Sequence, residues 1–157
     1  FEAADIVDVV RSTMEAYKYH ISDLGFEIES QLPREPLFAL IDKDAISQAV
    51  LNLLDNATKY SDDAKYIRIG VSQAGSAAII IVEDHGVGIP KEFLGRIFDK
   101  FYRVPNEKAR ETRGSGLGLA LTKHIIEAHR GTIGVECNKG KGSIFTIKIP
   151  LQTGATL

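Results

Sequence analysis

The stretch Asn52–Ser61, with the sequence NLLDNATKYS, carries side chains that could bind a metal nucleotide. On a helix of about 3.6 residues per turn, Gln48, Asn52, Asn56 and Lys59 fall on one narrow arc, opposite a broad apolar arc. Asparagine is a poor helix former, so two of them one turn apart weaken the helix locally. Carboxamide oxygens suit a hard cation such as Mg2+, and a lysine one turn later suits a phosphate. The stripe therefore indicates either half of a metal-nucleotide site or a solvated helix face.

A second polar group follows a buried apolar run, where the segment DHGVGIP begins at Asp84. A carboxylate at the end of a strand can accept a hydrogen bond from an exocyclic amine such as adenine N6. Gly86 and Gly88 would let a flat base approach the backbone closely. The same residues also fit an ordinary Asp-Gly turn, so the pattern leaves both interpretations open.

Glycines also open a predicted helix, at Gly114, Gly116 and Gly118. Unpaired amides and the helix dipole at such an N-terminus favour a phosphate. The segment is not a P-loop, because no Lys-Ser/Thr follows, and it is not a Rossmann turn, because a charged loop rather than a strand precedes it. A flexible hinge is the alternative interpretation.

The charged loop before these glycines extends from Phe98 to Gly116. A loop of this length inside a domain is more often a lid or a binding loop than a simple connection. Arg103 follows two aromatic residues, whose packing could anchor it within reach of a terminal phosphate. The other charges of the loop are of mixed sign, which is typical of solvated surface.

The chain as a whole has the size and composition of one globular domain. Its 157 residues are 44% hydrophobic and 25% charged. The net charge of −2 provides no global attraction to nucleic acid or anionic lipid, so any phosphate binding must be local. No apolar run is long enough to cross a bilayer. Because the chain begins at Phe1 rather than Met, we expect it to be a piece of a longer protein.

Other common chemistries find little support. Cys137 is the single cysteine, which excludes disulfides within the chain, favours a reducing compartment and predicts a small buried hydrophobe. His124 and His129 lack the HExxH arrangement of a zinc site. No GxSxG elbow supports a serine hydrolase.

Helical spacing and capping residues predict three main helices. These run from an Asp5 cap to about Ile21, from an Asp42 cap to Ser61, and from Leu117 to His129. Gly131 is placed to end the third helix, and a short helix could begin at Pro90.

The remaining segments predict strands and hairpins. Two short strands, ending at Gln31 and beginning at Leu37, are expected to be joined by a proline-containing turn. The ranges 66–72 and 77–83 form a predicted hairpin, whose apolar second strand should be buried on both faces. The ranges 132–138 and 143–149 form a second predicted hairpin around NKGKG.

Five of these segments, in this order, resemble the conserved boxes of one family, the catalytic and ATP-binding domain of sensor histidine kinases. They are NLLDNATKYS, DHGVGIP, RIFDKFYR, GSGLGLALTKHIIEAHRG and GKGSIFTIKIP. The family belongs to the wider group of gyrase, chaperone, histidine kinase and mismatch-repair ATPases. The resemblance implies an α+β fold called the Bergerat fold: a two-layer sandwich with a mixed sheet of about five strands, covered on one face by three helices. It also implies a single domain over 1–157, with a core over about 3–151 and an ATP lid over about 99–116.

The resemblance implies a role for each box. Asn52 and Asn56 would hold Mg2+, Asp84 would accept from the adenine amine, and Gly86 and Gly88 would give the base room. Asn52, Lys59 and Arg103 would be the catalytic residues, acting on the phosphates. The other implied nucleotide contacts are Tyr60, Ile89, Gly114, Ser115, Gly116, Leu117, Gly118, Leu119 and Ser143.

The implied reaction is transfer of the ATP γ-phosphoryl group to a histidine on a dimerisation domain of the same parent protein, and from there to a response regulator. No HELRTPL-like segment surrounds any of the four histidines, so we expect a monomeric, cytoplasmic fragment that binds ATP and Mg2+ but cannot phosphorylate itself. The alternatives are a hydrolytic ATPase, a serine-directed anti-sigma kinase and an inactive nucleotide-sensing module. An asparagine rather than an acid at position 52 argues against hydrolysis.

Overall fold

The computed structural model describes residues 1–61, 64–102, 118–137 and 142–152. Within these ranges, three helices cover one face of a five-stranded mixed sheet, and two further strands form a small second sheet. The helices are α1 (Ile6–His20), α2 (Lys43–Tyr60) and α3 (Gly118–Ala128). The strands are β1 (Glu2–Asp5), β2 (Glu27–Gln31), β3 (Phe38–Ile41), β4 (Tyr66–Ala74), β5 (Ala77–Asp84), β6 (Thr132–Cys137) and β7 (Ser143–Pro150). The implied α+β fold is confirmed.

The large sheet has the strand order β2-β4-β5-β7-β6. Strands β2 and β4 are parallel, and the other neighbours are antiparallel. The central pairing of β5 with β7 puts Asp84 directly opposite Ser143. The last residue of β5 therefore lies beside the first residue of β7.

Two aspartates begin the first two helices as predicted. The Asp5 carboxylate accepts from the Val7 amide at 3.0 Å, and Asp42 accepts from the Ala45 amide at 3.2 Å. Each bond satisfies one of the amides that a helix N-terminus leaves unpaired. Helix α2 buries Leu53 and Leu54 completely against the sheet. Its apolar face is thereby fixed on the core, and its polar stripe is directed away from the core.

The core lies between the helices and the inner face of the sheet. Side chains that alternate along the central strands, such as Ile69, Ile80 and Ile147, are fully buried. Burying an aliphatic side chain of this size contributes about 1.5–3 kcal/mol. On the opposite face of the sheet, Ile79 and Ile81 are only half-buried, because no helix covers them. The expectation that β5 is buried on both faces is therefore wrong.

The first strands have pairing partners that the sequence did not specify. Strand β3 pairs with β1, a strand that the sequence pattern does not predict, whereas β2 pairs in parallel with β4. Between β2 and β3, Pro33 and Pro36 favour extended backbone at and before each proline. The connection therefore carries the chain from one sheet to the other instead of forming a tight turn.

Cys137 is exposed, so the expectation of a buried small hydrophobe is also wrong. It is the last residue of β6, which forms an edge of the large sheet. A residue at an edge strand has a neighbouring strand on one side only, and this leaves Cys137 exposed.

Helix α3 ends in a Schellman motif. The Gly131 amide donates to the Ile126 carbonyl at 2.9 Å, and the Arg130 amide donates to the Glu127 carbonyl at 3.0 Å. The left-handed residue of the motif is Arg130, with φ 60°, rather than the glycine that follows it. A Cβ on Gly131 would overlap the Lys148 carbonyl oxygen, so this glycine serves close packing against β7. Helix α3 thus ends where predicted, but Arg130 rather than Gly131 takes the left-handed conformation that ends it.

Candidate nucleotide site

One side of α2 carries four of the predicted site residues in a row: Asn52, Asn56, Lys59 and Tyr60. Lys59 is exposed, and the other three are half-buried. At about 1.5 Å of rise per residue, the row extends over roughly 12 Å of the helix axis. Different groups pack against its two ends.

At the C-terminal end of the row, the Asp84 carboxylate is buried, with 3% of the residue exposed. One carboxylate oxygen accepts from the Gly86 amide at 2.9 Å, and the other accepts from the Ser143 hydroxyl at 3.0 Å. Burial raises the pKa of Asp84, and the hydrogen bonds from Gly86 and Ser143 oppose that rise. A carboxylate has about four acceptor positions, so two bonds leave capacity for another donor.

The loop after Asp84 is docked on the end of α2. The Val87 amide donates to the Tyr60 carbonyl at 3.1 Å. A Cβ on Gly86 would overlap that same carbonyl oxygen, so only glycine fits there without a backbone shift. Gly86 therefore has a packing role between α2 and the loop, in addition to the room for a base implied by the resemblance.

Two more glycines take part in this packing. Gly88, within the loop, has φ 71°, and a Cβ there would lie 3.2 Å from the Gly142 carbonyl oxygen. Gly142 has φ 83°, and a Cβ there would overlap the Asp84 carbonyl oxygen. Ile89 packs against the core, and its carbonyl accepts from the Cys137 thiol at 2.7 Å. The loop is thus held by α2, by the start of β7 and by the end of β6.

At the other end of the row, Asn52 is bound to the first turn of α3. Its Nδ2 donates to the Thr122 hydroxyl at 3.2 Å and to the Gly118 carbonyl at 3.4 Å. Its Oδ1 accepts from Gln48 Nε2 at 2.8 Å. The predicted residues Gly118 and Leu119 lie in this same turn, so α2 and the start of the glycine-rich helix are joined directly at Asn52.

Between these ends lie Asn56 and Lys59, whose contacts within the described residues are few. Within the described part of the chain, the Asn56 carboxamide makes no hydrogen bond. Lys59 forms an ion pair with Asp55 at 3.0 Å, and both side chains are about half exposed. Such exposed pairs contribute at most about 1 kcal/mol, so a phosphate could displace Asp55 at little cost.

Five predicted residues lie outside the described residues: Arg103, Gly114, Ser115, Gly116 and Leu117. Only the first four positions of the predicted lid, from Asp99 to Tyr102, are described. The structure places the other predicted residues around Asp84 or around Asn52, except that Asn56 and Lys59 lie on α2 between these two groups.

Two residues of these groups are not predicted from the sequence, Gly142 and Thr122. Gly142 fits a hairpin turn by sequence, and its contact with Asp84 depends on the pairing of β5 with β7, which the sequence does not specify. Thr122 lies one helical turn after Gly118, and its hydroxyl bonds that residue's carbonyl at 2.8 Å. The spacing was visible in the sequence, but the partner on α2 was not.

No group of three or more His, Cys, Asp or Glu side chains that could hold a metal occurs among the described residues. Among the helices of the described ranges, none combines the length and apolarity needed to span a bilayer. An open groove of about 530 Å³ between α1 and β2 is lined by residues of mixed charge, including Arg11, Glu15 and Lys18. It contains none of the residues around Asn52 or Asp84.

The family described as histidine kinase-, DNA gyrase B-, and HSP90-like ATPase matches residues 41–153. Sensor histidine kinase WalK of Bacillus subtilis is 38% identical over 128 residues, which are 80% of this chain and 21% of WalK. The chain therefore spans about a fifth of the length of that relative.

Solved structures show the same fold. The mycobacterial sensor histidine kinase MprB matches with a TM-score of 0.82 and 28% identity, over 96% of this chain and 97% of that one. Full-length ShkA in complex with AMPPNP matches with a TM-score of 0.80 and 26% identity, over 97% of this chain and 31% of that one. The resemblance drawn from the five segments is confirmed.

Proposed function

The chain belongs to the family of histidine kinase-, DNA gyrase B- and HSP90-like ATPases, and on this premise we propose that it is the ATP-binding catalytic domain of a two-component sensor histidine kinase. The supporting observation is the position of α2, which joins a buried carboxylate at one end to a pair of carboxamides at the other. The row from Asn52 to Tyr60 extends over roughly 12 Å of the helix axis, so its two ends can contact different parts of one nucleotide.

The purine would bind at the Asp84 end. The buried carboxylate keeps free acceptor positions, and low local polarity strengthens a hydrogen bond from an adenine amine. Tyr60 and Ile89 would contact the nucleotide beside it. The contacts that hold the loop, from Gly86 to Tyr60 and from Ser143 to Asp84, keep the carboxylate in place before any ligand binds.

The phosphates would bind at the Asn52 end, with Asn56 and Lys59. Carboxamide oxygens are ligands that Mg2+ accepts together with phosphate oxygens and water, and the half-buried Asn56 side chain makes no hydrogen bond within the described residues, so the donor set fits Mg2+. Bound there, Mg2+ would neutralise charge on the phosphates. Arg103 and the glycines from Gly114 to Gly118 would contact the same phosphates, as would Ser115, Leu117 and Leu119 through their backbone.

Phosphoryl transfer demands mainly positioning and charge neutralisation from a protein. Lys59 would supply a positive charge, and Asn52 would orient the phosphates without accepting a proton, because a carboxamide is not a base. This favours transfer to an incoming histidine over hydrolysis by a water that the protein must deprotonate. The single domain over 1–157, with a lid over about 99–116, would dock on a separate histidine-bearing dimerisation domain of a parent protein. A response regulator would act downstream, and the site would face the cytoplasm.

A mixing experiment tests this proposal. The purified chain is incubated with radiolabelled ATP, Mg2+ and a separately produced helical acceptor domain from the parent protein. We expect acid-labile phosphohistidine on the acceptor domain and almost no free phosphate. Free phosphate as the main product would indicate a hydrolase instead.

Binding of ATP without formation of phosphohistidine or free phosphate would indicate a nucleotide-sensing module. An Asn52→Glu variant is the companion measurement, since a carboxylate at that position could act on water. We expect it to release more free phosphate than the unmodified chain.

A further inference from the structure

The hydrogen bonds at Asn52 assign a role to a residue outside the proposed nucleotide contacts, Thr122 on α3. Thr122 is fully buried, and its hydroxyl donates to the Gly118 carbonyl one turn earlier at 2.8 Å. Because that proton is used within α3, the Thr122 oxygen can act toward α2 only as an acceptor. The Gly118 carbonyl is an acceptor as well.

These two acceptors determine which way the Asn52 carboxamide is turned. The amide atom that faces α3 must be the donor, Nδ2, and it lies 3.2 Å from the Thr122 oxygen and 3.4 Å from the Gly118 oxygen. The reverse orientation would bring Oδ1 against two other oxygens. Oδ1 therefore faces away from α3, where it accepts from Gln48 and keeps a second lone pair.

We propose that Thr122 is a positioning residue that holds the Asn52 carboxamide with Nδ2 on α3, so that Oδ1 is turned away from α3 and can offer its second lone pair to Mg2+. The proposal rests on the function proposed above, in which Asn52 is a metal ligand. Partners of metal ligands commonly affect metal affinity by about 10- to 100-fold although they do not touch the metal. Thr122 is such a partner of Asn52 through its side chain. Gly118 contacts Asn52 only through its backbone carbonyl, which a substitution does not remove.

The chain offers a matched control in Thr13 on α1. Its hydroxyl also donates to the carbonyl four residues earlier, that of Val9, at 2.8 Å, and it contacts α2 at the Ser47 hydroxyl at 2.7 Å. Thr13 is buried as well, with 7% exposed. Thr13→Val therefore removes the same chemistry from a helix contact that does not include Asn52.

The test is calorimetric titration of AMPPNP, at a series of Mg2+ concentrations and in EDTA, into the unmodified chain and three variants. In Thr122→Val, the valine side chain is isosteric with threonine but cannot form a hydrogen bond. The Mg2+ concentration at which AMPPNP affinity has risen halfway from its value in EDTA should therefore be about tenfold higher than in the unmodified chain. The affinity of Thr122→Val in EDTA should stay within about twofold. Thr122→Ser should restore the normal Mg2+ dependence, and Thr13→Val should not alter it.

Normal Mg2+ dependence in Thr122→Val, or an equal shift in Thr13→Val, would overturn the proposal while leaving the proposed function intact. If the unmodified chain fails to bind AMPPNP, the proposed function fails and this inference with it. A second measurement avoids reliance on variants that could fold poorly. In the unmodified chain, NMR should show slowed solvent exchange of the Asn52 Nδ2 protons, and unprotected protons would contradict the assigned orientation.

Discussion

At the scale of single residues, two opposing effects act on the pKa of Asp84. Burial disfavours its charged form, whereas hydrogen bonds from Gly86 and Ser143 favour it, and burial is the larger effect. An adenine amine would be one more donor to the charged form. Nucleotide binding and ionisation of Asp84 should therefore favour each other.

Replacing Asp84 with asparagine should largely abolish nucleotide binding without unfolding the chain. The amide oxygen can still accept from Gly86, and the amide nitrogen can donate to Ser143, but the charge is lost. A charge-assisted hydrogen bond contributes about 1.5–3 kcal/mol, so ADP affinity should fall about ten- to hundredfold. Calorimetric titration measures this. Asp23→Asn, at an exposed position, is the control and should bind normally; near-normal affinity in Asp84→Asn would refute the assignment.

The raised pKa of Asp84 also predicts how stability depends on pH. In the window between the unfolded value of about 3.9 and the higher folded value, the folded chain binds more protons than the unfolded chain. Stability attributable to Asp84 is therefore complete below that window and is lost as the pH rises through it. Urea denaturation between pH 3.5 and 7 should show the unmodified chain losing stability relative to Asp84→Asn. A gain in stability of the unmodified chain relative to Asp84→Asn would mean that folding lowers the pKa of Asp84.

At the scale of elements, the contact between α2 and the loop after β5 couples the helix to the proposed purine end of the site. Gly86→Ala should disturb this contact, because the new methyl group overlaps the Tyr60 carbonyl oxygen. Overpacking of this kind costs about 1–3 kcal/mol, and ADP binding should weaken together with stability. Urea denaturation and ADP titration provide the two readouts. Gly95→Ala is the matched control, since open space surrounds that position, and it should change stability by less than about 1 kcal/mol.

The end of α3 offers a stabilising substitution. Arg130 has φ 60°, a conformation that costs a side-chain-bearing residue about 1–2 kcal/mol and costs glycine almost nothing. Glycine also increases the conformational entropy of the unfolded chain, which offsets part of this gain in stability. Arg130→Gly should therefore raise the free energy of unfolding by about 0.5–1 kcal/mol in urea denaturation. Arg130→Ala is the control, because it removes the charge of the side chain but keeps the Cβ. An equal gain in stability in Arg130→Ala would contradict the backbone explanation.

The helices could be predicted closely from the sequence, whereas some strand partners could not. Caps such as Asp5 and Asp42 act within one turn, so the information lies next to the helix that it begins. Strand β1, with the sequence EAAD, has no alternating pattern and no β-branched residue, and its partner β3 is more than thirty residues away. Local sequence does not specify such partners. The parallel pairing of β2 with β4 was missed for the same reason.

At the scale of the whole molecule, the site joins residues that are distant in the chain. The chemical types at Asn52, Asn56 and Asp84 were readable because each lies in a short motif with its own spacing. The contacts that hold them, from Thr122 to Asn52 and from Gly142 to the Asp84 backbone, bridge separate elements. Only the folded chain reveals which residue supports which.

The bond between Ser143 and Asp84 has a consequence for how the protein is made. The hydroxyl and the carboxylate are 59 positions apart, and Ser143 begins the final strand of the sheet. A nascent chain emerging from the ribosome thus has its helix α2 and its strand β5 long before Ser143 can bond Asp84. At the proposed site, nucleotide capture must wait until β7 has been translated and has inserted between β5 and β6.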